Sequence, residues 1–227
     1  MTPRELIGVA EVPGGPPLRL VRHGGDFIIM LERNELMSSR MRGSEIALGT
    51  MTCARLGKLS APRLLIGGYG MGFTLRAVLG AVDADAEIIV AELVPGIIEW
   101  ARGPMAALAE GCLDDPRVTI RMGDVGAAIA EAAAGPVNGR YDAILLDVDN
   151  GPDGLTRQEN DGLYTARGLA RARAALRPGG ILAVWSAGTD PAFAKRLAQG
   201  GFAVDEVRVR ARENGKGPQH VIWFAQV

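Results

Sequence analysis

From Arg63 onward, short apolar runs alternate with segments of helical periodicity. RLLIG (63–67), EIIVAEL (87–93), RVTIRM (117–122), YDAILLD (141–147) and ILAVWSA (181–187) have the length and branched apolar content of strands. Between and after them FTLRAVLGAV, PGIIEWAR, VGAAIAEAAA, GLYTARGLARARAAL and PAFAKRLAQ read as helices. The boundaries carry their own signals. Pro95 stands where a first helical turn accepts proline, and Asp124 is placed as an N-cap. Arg177-Pro178-Gly179-Gly180 stops the fourth helix and Gly200-Gly201 the fifth. FAVDEVRVR and HVIWFAQV, joined by NGKGP, predict a terminal antiparallel hairpin. Five β/α units followed by a hairpin predict an α/β fold built on an open, doubly wound sheet.

The first 58 residues break this alternation. PPLRLVR and DFIIMLE are two strand-like runs around a turn at His23-Gly24-Gly25. LMSSRMRGSEIALGTMTCARLG then turns helical from a start near Ser44, with Ile46, Met51 and Ala54 expected on one face. Residues 1–58 therefore read as a small β-rich annex, a lid or a dimer surface, and residues 59–227 as the main domain.

Composition narrows the function classes. A chain of 227 residues is one large domain, or one domain with an annex. The formal net charge of -1 gives no overall electrostatic reason to bind nucleic acid. Cys53 and Cys112 are far apart and form no CxxC, so neither a disulfide framework nor a thiolate zinc site is expected. His23 and His220 are too isolated for a histidine metal site, and no metal is expected. The start lacks a signal-peptide core, and no apolar run approaches the ~20 residues of a membrane span. A soluble, cytoplasmic protein is the expectation.

Ligands of open α/β sheets bind beyond the carboxyl ends of the strands. After the first of these strands comes Gly67-Gly68-Tyr69-Gly70-Met71-Gly72, dense enough in glycine for a tight turn and close approach to a ligand. Neither the dinucleotide spacing nor a P-loop is met, so an NAD-dependent enzyme is a poor fit. Glu92 ends the second strand, where a carboxylate can accept from both ribose hydroxyls. Asp124 and Val125 follow the third. Asp124 suits an exocyclic amine of a base as well as it suits a helix cap. After the fourth come Asp147, Asp149, Asn150 and Asp153, which suit a cation or amine site, or an Asx-type turn. Together these residues form the pattern of an adenosyl-sulfonium site.

The run YDAILLDVDNGPDGL, followed by LY, GL and ALRPGGILAVWSA, resembles the spermidine synthase-like (polyamine aminopropyltransferase) family. The resemblance implies a Rossmann-like methyltransferase sheet and extends from Arg63 to the final hairpin. It implies that Gly67, Gly68, Gly70 and Gly72 line the nucleoside and its sulfonium tail. Glu92 would hold the ribose, and Asp124 and Val125 would read adenine. Asp147 matches the first acid of the family's D-x-x-D motif, its general base. The second acid falls at Asn150 or is lost with a shortened loop. Asp149, Asn150, Tyr164 and Glu45 would bind the acceptor. The family's Y-H/Q-E segment appears as Gly43-Ser44-Glu45, and Tyr69-Gly70-Met71 replaces its glycine-loop Asp.

The resemblance thus implies a transferase of polyamine biosynthesis. S-adenosylmethionine or its decarboxylated form would be the donor substrate, a small amine the acceptor and a homodimer the assembly. Methyl transfer from S-adenosylmethionine is the alternative on the same fold. A non-catalytic nucleoside-binding homologue is another. Trp100, Trp185 and Trp223 read as core, Tyr164 as core equally with substrate contact, and His220 as a strand-end or interface residue.

Overall fold

The computed structural model describes residues 3–148 and 161–227. Four antiparallel strands come first: β1 (Arg4–Ala10), β2 (Leu18–His23), β3 (Asp26–Leu31) and β4 (Asn34–Ser38), paired in that order. β2 and β3 are the predicted hairpin. β1 carried no sequence signal, because it is an edge strand whose Leu6 and Val9 face outward. Leu36, Met37 and Ser38, the head of the expected helical segment, are strand instead.

Helix α1 (Gly43–Leu56) begins where predicted, but it buries Glu45, Leu48, Gly49 and Thr52, while Ile46 and Met51 are half-buried and Ala54 is exposed. The cause is close helix packing. A Cβ on Gly49 would lie 2.8 Å from the Ala77 Cβ and 2.9 Å from the Thr74 carbonyl oxygen. The inner face is therefore set by a small residue and by polar groups, which a search for apolar stripes passes over.

The alternating region follows as β5 (Arg63–Gly67), α2 (Phe73–Leu79), β6 (Glu87–Glu92), α3 (Pro95–Arg102), the short α4 (Ala106–Ala109), β7 (Val118–Met122), α5 (Val125–Ala134) and β8 (Tyr141–Leu146). After the undescribed segment come α6 (Asp161–Tyr164), α7 (Ala166–Ala175), β9 (Leu176–Ser186), α8 (Pro191–Gln199), β10 (Ala203–Arg210) and β11 (Gln219–Gln226). The expected fourth helix is split. Thr165 accepts the Gly168 N–H and caps α7, separating it from α6. β9 starts at Leu176, earlier than Ile181, and runs through the Pro178-Gly179-Gly180 segment that ends the helix.

Among the described residues the large sheet has the order β10-β11-β9-β8-β5-β6-β7. β7, β6, β5, β8 and β9 are parallel, and β11 runs antiparallel between β9 and β10. Both faces are covered. Leu64, Ile66, Val90 and Leu145 point into the layer holding Leu75, Val78 and Ile97. Leu65, Ile89, Ile144 and Leu146 point into the layer holding Ile129, Leu169 and Phe193. The chain leaves β5 towards β6 and returns to pair β8 on its other side. That reversal opens a crevice at the carboxyl ends of β5 and β8, where doubly wound sheets bind ligands. No helix among the described residues is long and apolar enough to cross a membrane.

Candidate active site

A cavity of about 430 Å³ occupies this crevice. Its floor is the strand ends, and residues of β3, β4 and the first turn of α1, among them Ile29, Met37 and Glu45, close the opposite side.

The glycine loop supplies Gly68 and Gly70 to the wall. Gly68 has φ +84°, and a Cβ there would lie 2.6 Å from the Asp147 carbonyl oxygen, so only glycine lets the two strand ends approach. Above Gly70 sits the Met37 thioether, 2.9 Å from where a Cβ would stand. Gly67 and Gly72 are not among the residues lining the cavity. Gly67 lies against Val125 and Leu146, and Gly72 forms the left-handed N-cap of α2 beside the Tyr69 hydroxyl. Tyr69 itself is buried, its hydroxyl 3.5 Å from the Cys112 Sγ.

Glu92 lines the cavity and also anchors the loop. Its Oε2 accepts the Tyr69 N–H and its Oε1 the Val94 N–H, each at 2.8 Å. Burial raises its pKa, and the backbone donors oppose that rise. The backbone N–H groups of Val94, Tyr69, Leu93 and Gly70 all favour its charged form. Asp124 caps α5 by accepting the Ala127 N–H at 3.0 Å, and it faces the cavity beside Val125.

Asp147 and Glu45 meet from opposite sides. The Thr74 hydroxyl donates to Asp147 Oδ2 at 2.7 Å. Burial pushes the Asp147 carboxyl up to about 6, against the pull of that bond. Glu45, 5% exposed, is pushed up to about 8 by burial first and by the negative charge of Asp147 second. The Ser44 hydroxyl lies 2.6 Å from Glu45 Oε2 and 2.8 Å from His220 Nδ1. The His220 ring stands edge-to-face on Trp185, centroids 4.8 Å apart, and both rings line the cavity. Burial lowers the His220 pKa.

Three polar groups of this cluster, Ser44, Thr74 and His220, were not assigned to the site by sequence, and Trp185 was read as core. Their signal is long-range: Ser44 and His220 are 176 residues apart. Tyr164 is buried against Phe193, rings perpendicular at 5.5 Å, and is not among the cavity-lining residues. Asp149 and Asn150 lie outside the described residues.

The charge of the wall is one-sided. Glu35, Glu45, Glu92, Asp124 and Asp147 line it, and no Lys or Arg does among the described residues. Nor do the described residues bring three His, Cys, Asp or Glu side chains together as a metal site would.

No family model matches the chain. The polyamine aminopropyltransferase of Mycobacterium tuberculosis is 32% identical over 124 residues, which are 55% of this chain and 22% of that protein. The spermidine synthase from Thermotoga maritima superimposes with a TM-score of 0.72 at 17% identity, covering 97% of this chain and 72% of that one. The fold is that of a spermidine synthase. A spermidine synthase in complex with the transition state analogue AdoDATO superimposes with the same score. Putrescine N-methyltransferase 4 of Nicotiana tabacum is 35% identical over 129 residues, 56% of this chain and 30% of that protein. The spermidine synthase-like match thus spans about a fifth to a third of the length of these curated relatives.

Proposed function

We propose that the chain transfers an aminopropyl group from decarboxylated S-adenosylmethionine to a small amine. One observation carries this reading: a nucleoside-sized crevice with a glycine loop has five acidic lining residues and no Lys or Arg among those described. Such a wall favours a sulfonium and ammonium over a donor that brings its own carboxylate. In this reading Gly68 and Gly70 run along the nucleoside, Glu92 takes the ribose hydroxyls, and Asp124 and Val125 meet the adenine. Gly67 and Gly72 act from behind by shaping the loop.

The acceptor nitrogen attacks the carbon bonded to sulfur in line, and the sulfur leaves with the bond electrons as a neutral thioether. An aliphatic ammonium has a pKa near ~10, so the nucleophile must first lose a proton. Asp147 is the base of this proposal, with Glu45 holding the ammonium beside it. The reading keeps the assignment of Asp149 and Asn150 to the acceptor, and Tyr164 supports the site from the core. Because the buried Tyr69 replaces the expected loop acid, the donor's own ammonium falls to the same carboxylates.

Methyl transfer from S-adenosylmethionine is the second reading. It is favoured by the missing loop acid and by the similarity to a protein named putrescine N-methyltransferase. Product analysis separates the two: aminopropyl transfer yields methylthioadenosine and methyl transfer yields S-adenosylhomocysteine.

The reading extends to a cytoplasmic homodimer, with residues 1–58 as the annex covering the nucleoside-binding catalytic domain of residues 59–227. Leu6 and Val9, 55% and 53% exposed on edge strand β1, suit a dimer contact. Light scattering across micromolar concentrations tests it, and a monomeric mass throughout contradicts it.

A further inference from the structure

The Glu45 carboxylate is not an isolated charge. Ser44, with no exposed surface, bridges it to an imidazole, and both links are short: 2.6 Å to Glu45 Oε2 and 2.8 Å to His220 Nδ1. A hydroxyl has one proton to give. Two arrangements therefore satisfy the row. In one, Ser44 donates to an ionised Glu45 and accepts from His220 Nδ1–H, leaving Nε2 bare. In the other, a protonated Glu45 donates to Ser44, Ser44 donates to Nδ1, and Nε2 carries the hydrogen.

We propose that Glu45, Ser44 and His220 form a proton relay that removes the proton released when the acceptor amine becomes a nucleophile. The balance is simple. From the protonated arrangement the Glu45 proton passes to the Ser44 oxygen, the Ser44 proton to Nδ1 and the Nε2 proton to water, which leaves the ionised arrangement. The ionised Glu45 then takes the ammonium proton by way of Asp147, so one proton has entered the row and one has left it, and no electrons move beyond the O–H and N–H bond pairs. The row resets when the imidazole exchanges its Nδ1–H for Nε2–H with solvent. Burial lowers the His220 pKa, so imidazolium is a passing state and not a resting charge. The relay gives His220 a use that a strand-end residue lacks. Its ring orientation is fixed by Trp185.

The proposal rests on the amine-transferase reading for the origin of the proton, but its geometry is testable without turnover. The titratable groups facing the row are Asp147 from the end of β8 and, across the cavity, Glu92 and Asp124. Of the nearby cations, Arg42 is paired with Glu213 and Arg55 with Asp205, while Arg210 donates to the Gly217 carbonyl.

The experiment is nitrogen NMR of the imidazole rings on the intact chain between pH 6 and 10, with His23 assigned by substitution. The relay predicts that His220 changes from the Nε2–H to the Nδ1–H tautomer as Glu45 ionises, and that Glu45→Gln abolishes the change. One tautomer throughout, in the wild type, overturns the relay whether or not the protein turns over. In the transferase assay, His220→Asn keeps a side-chain amide but cannot pass a proton. Its kcat should fall ~10-fold or more with methylthioadenosine affinity unchanged, and imidazole added to His220→Ala should recover part of the loss. A wild-type kcat for His220→Asn also overturns it. A tautomer change in a chain that transfers no aminopropyl or methyl group upholds the row's proton exchange and instead overturns the function proposed above.

Discussion

Thr74 and Asp147, 73 residues apart, are joined by a 2.7 Å hydrogen bond from the hydroxyl to Oδ2. It links the first turn of α2 to the end of β8 across the switch point of the sheet. The bond favours the ionised carboxyl, while burial disfavours it more, leaving Asp147 at about 6. Such a base is largely ionised at neutral pH and stronger than a free aspartate. Asp147→Asn should lower turnover by ~10²–10⁴ while methylthioadenosine affinity changes little. Thr74→Val should move the acidic limb of the kcat pH profile to higher pH, because the charged form loses its donor. A limb that stays in place would detach Asp147 from the proton transfer.

Glu92 has a structural and a binding task, and one variant separates them. Glu92→Gln turns an amide NH₂ towards backbone donors that the carboxylate satisfied, Tyr69 and Val94 foremost. Leaving such a buried donor unpaired should cost on the order of 1–3 kcal/mol of stability. Calorimetry should also show weaker methylthioadenosine binding. Unchanged affinity in a destabilised variant would leave Glu92 as a loop anchor alone.

The carboxylates of the cavity make the empty protein sensitive to alkali. Glu45 rises from 4.5 to about 8 on folding, so the folded state holds more protons than the unfolded chain between those values. Stability is full below pH ~4.5 and is lost as pH rises towards 8. Asp147 and Glu92 shift in the same direction. Glu45→Gln should raise the melting temperature at pH 8–9 relative to wild type and flatten its fall with pH, at the expense of activity. Equal melting curves at pH 9 would contradict the buried, charge-facing position of Glu45.

Gly68→Ala tests the loop geometry. The φ of +84° strains any side chain, and the Cβ would sit 2.6 Å from backbone. Strain of this kind costs about 1–3 kcal/mol, which lowers Tm by roughly 2–4 °C per kcal/mol in a chain of this size. Gly24→Ala, with φ +65° but open space around it, should cost less.

The parallel part of the sheet was legible because strands such as β8, buried at all six positions, leave unbroken apolar runs. Acids at strand ends were legible for the same reason: Asp147 and Glu92 terminate those runs. Strand β1 was not, since it is mostly exposed and its pairing partner supplies the order. The inner face of α1 was not, because Gly49 and Glu45 define it. Ser44, Thr74 and His220 are ordinary residues in sequence. Only the fold brings the start of α1, the start of α2 and the start of β11 to one cavity.

The central claim is that this acid-lined crevice uses a decarboxylated sulfonium donor. Mass spectrometry of the purified chain incubated with a diamine and either donor tests it directly. The account predicts methylthioadenosine and an aminopropylated amine from decarboxylated S-adenosylmethionine. S-adenosylhomocysteine and a methylated amine from S-adenosylmethionine, with no methylthioadenosine from the decarboxylated donor, would contradict it.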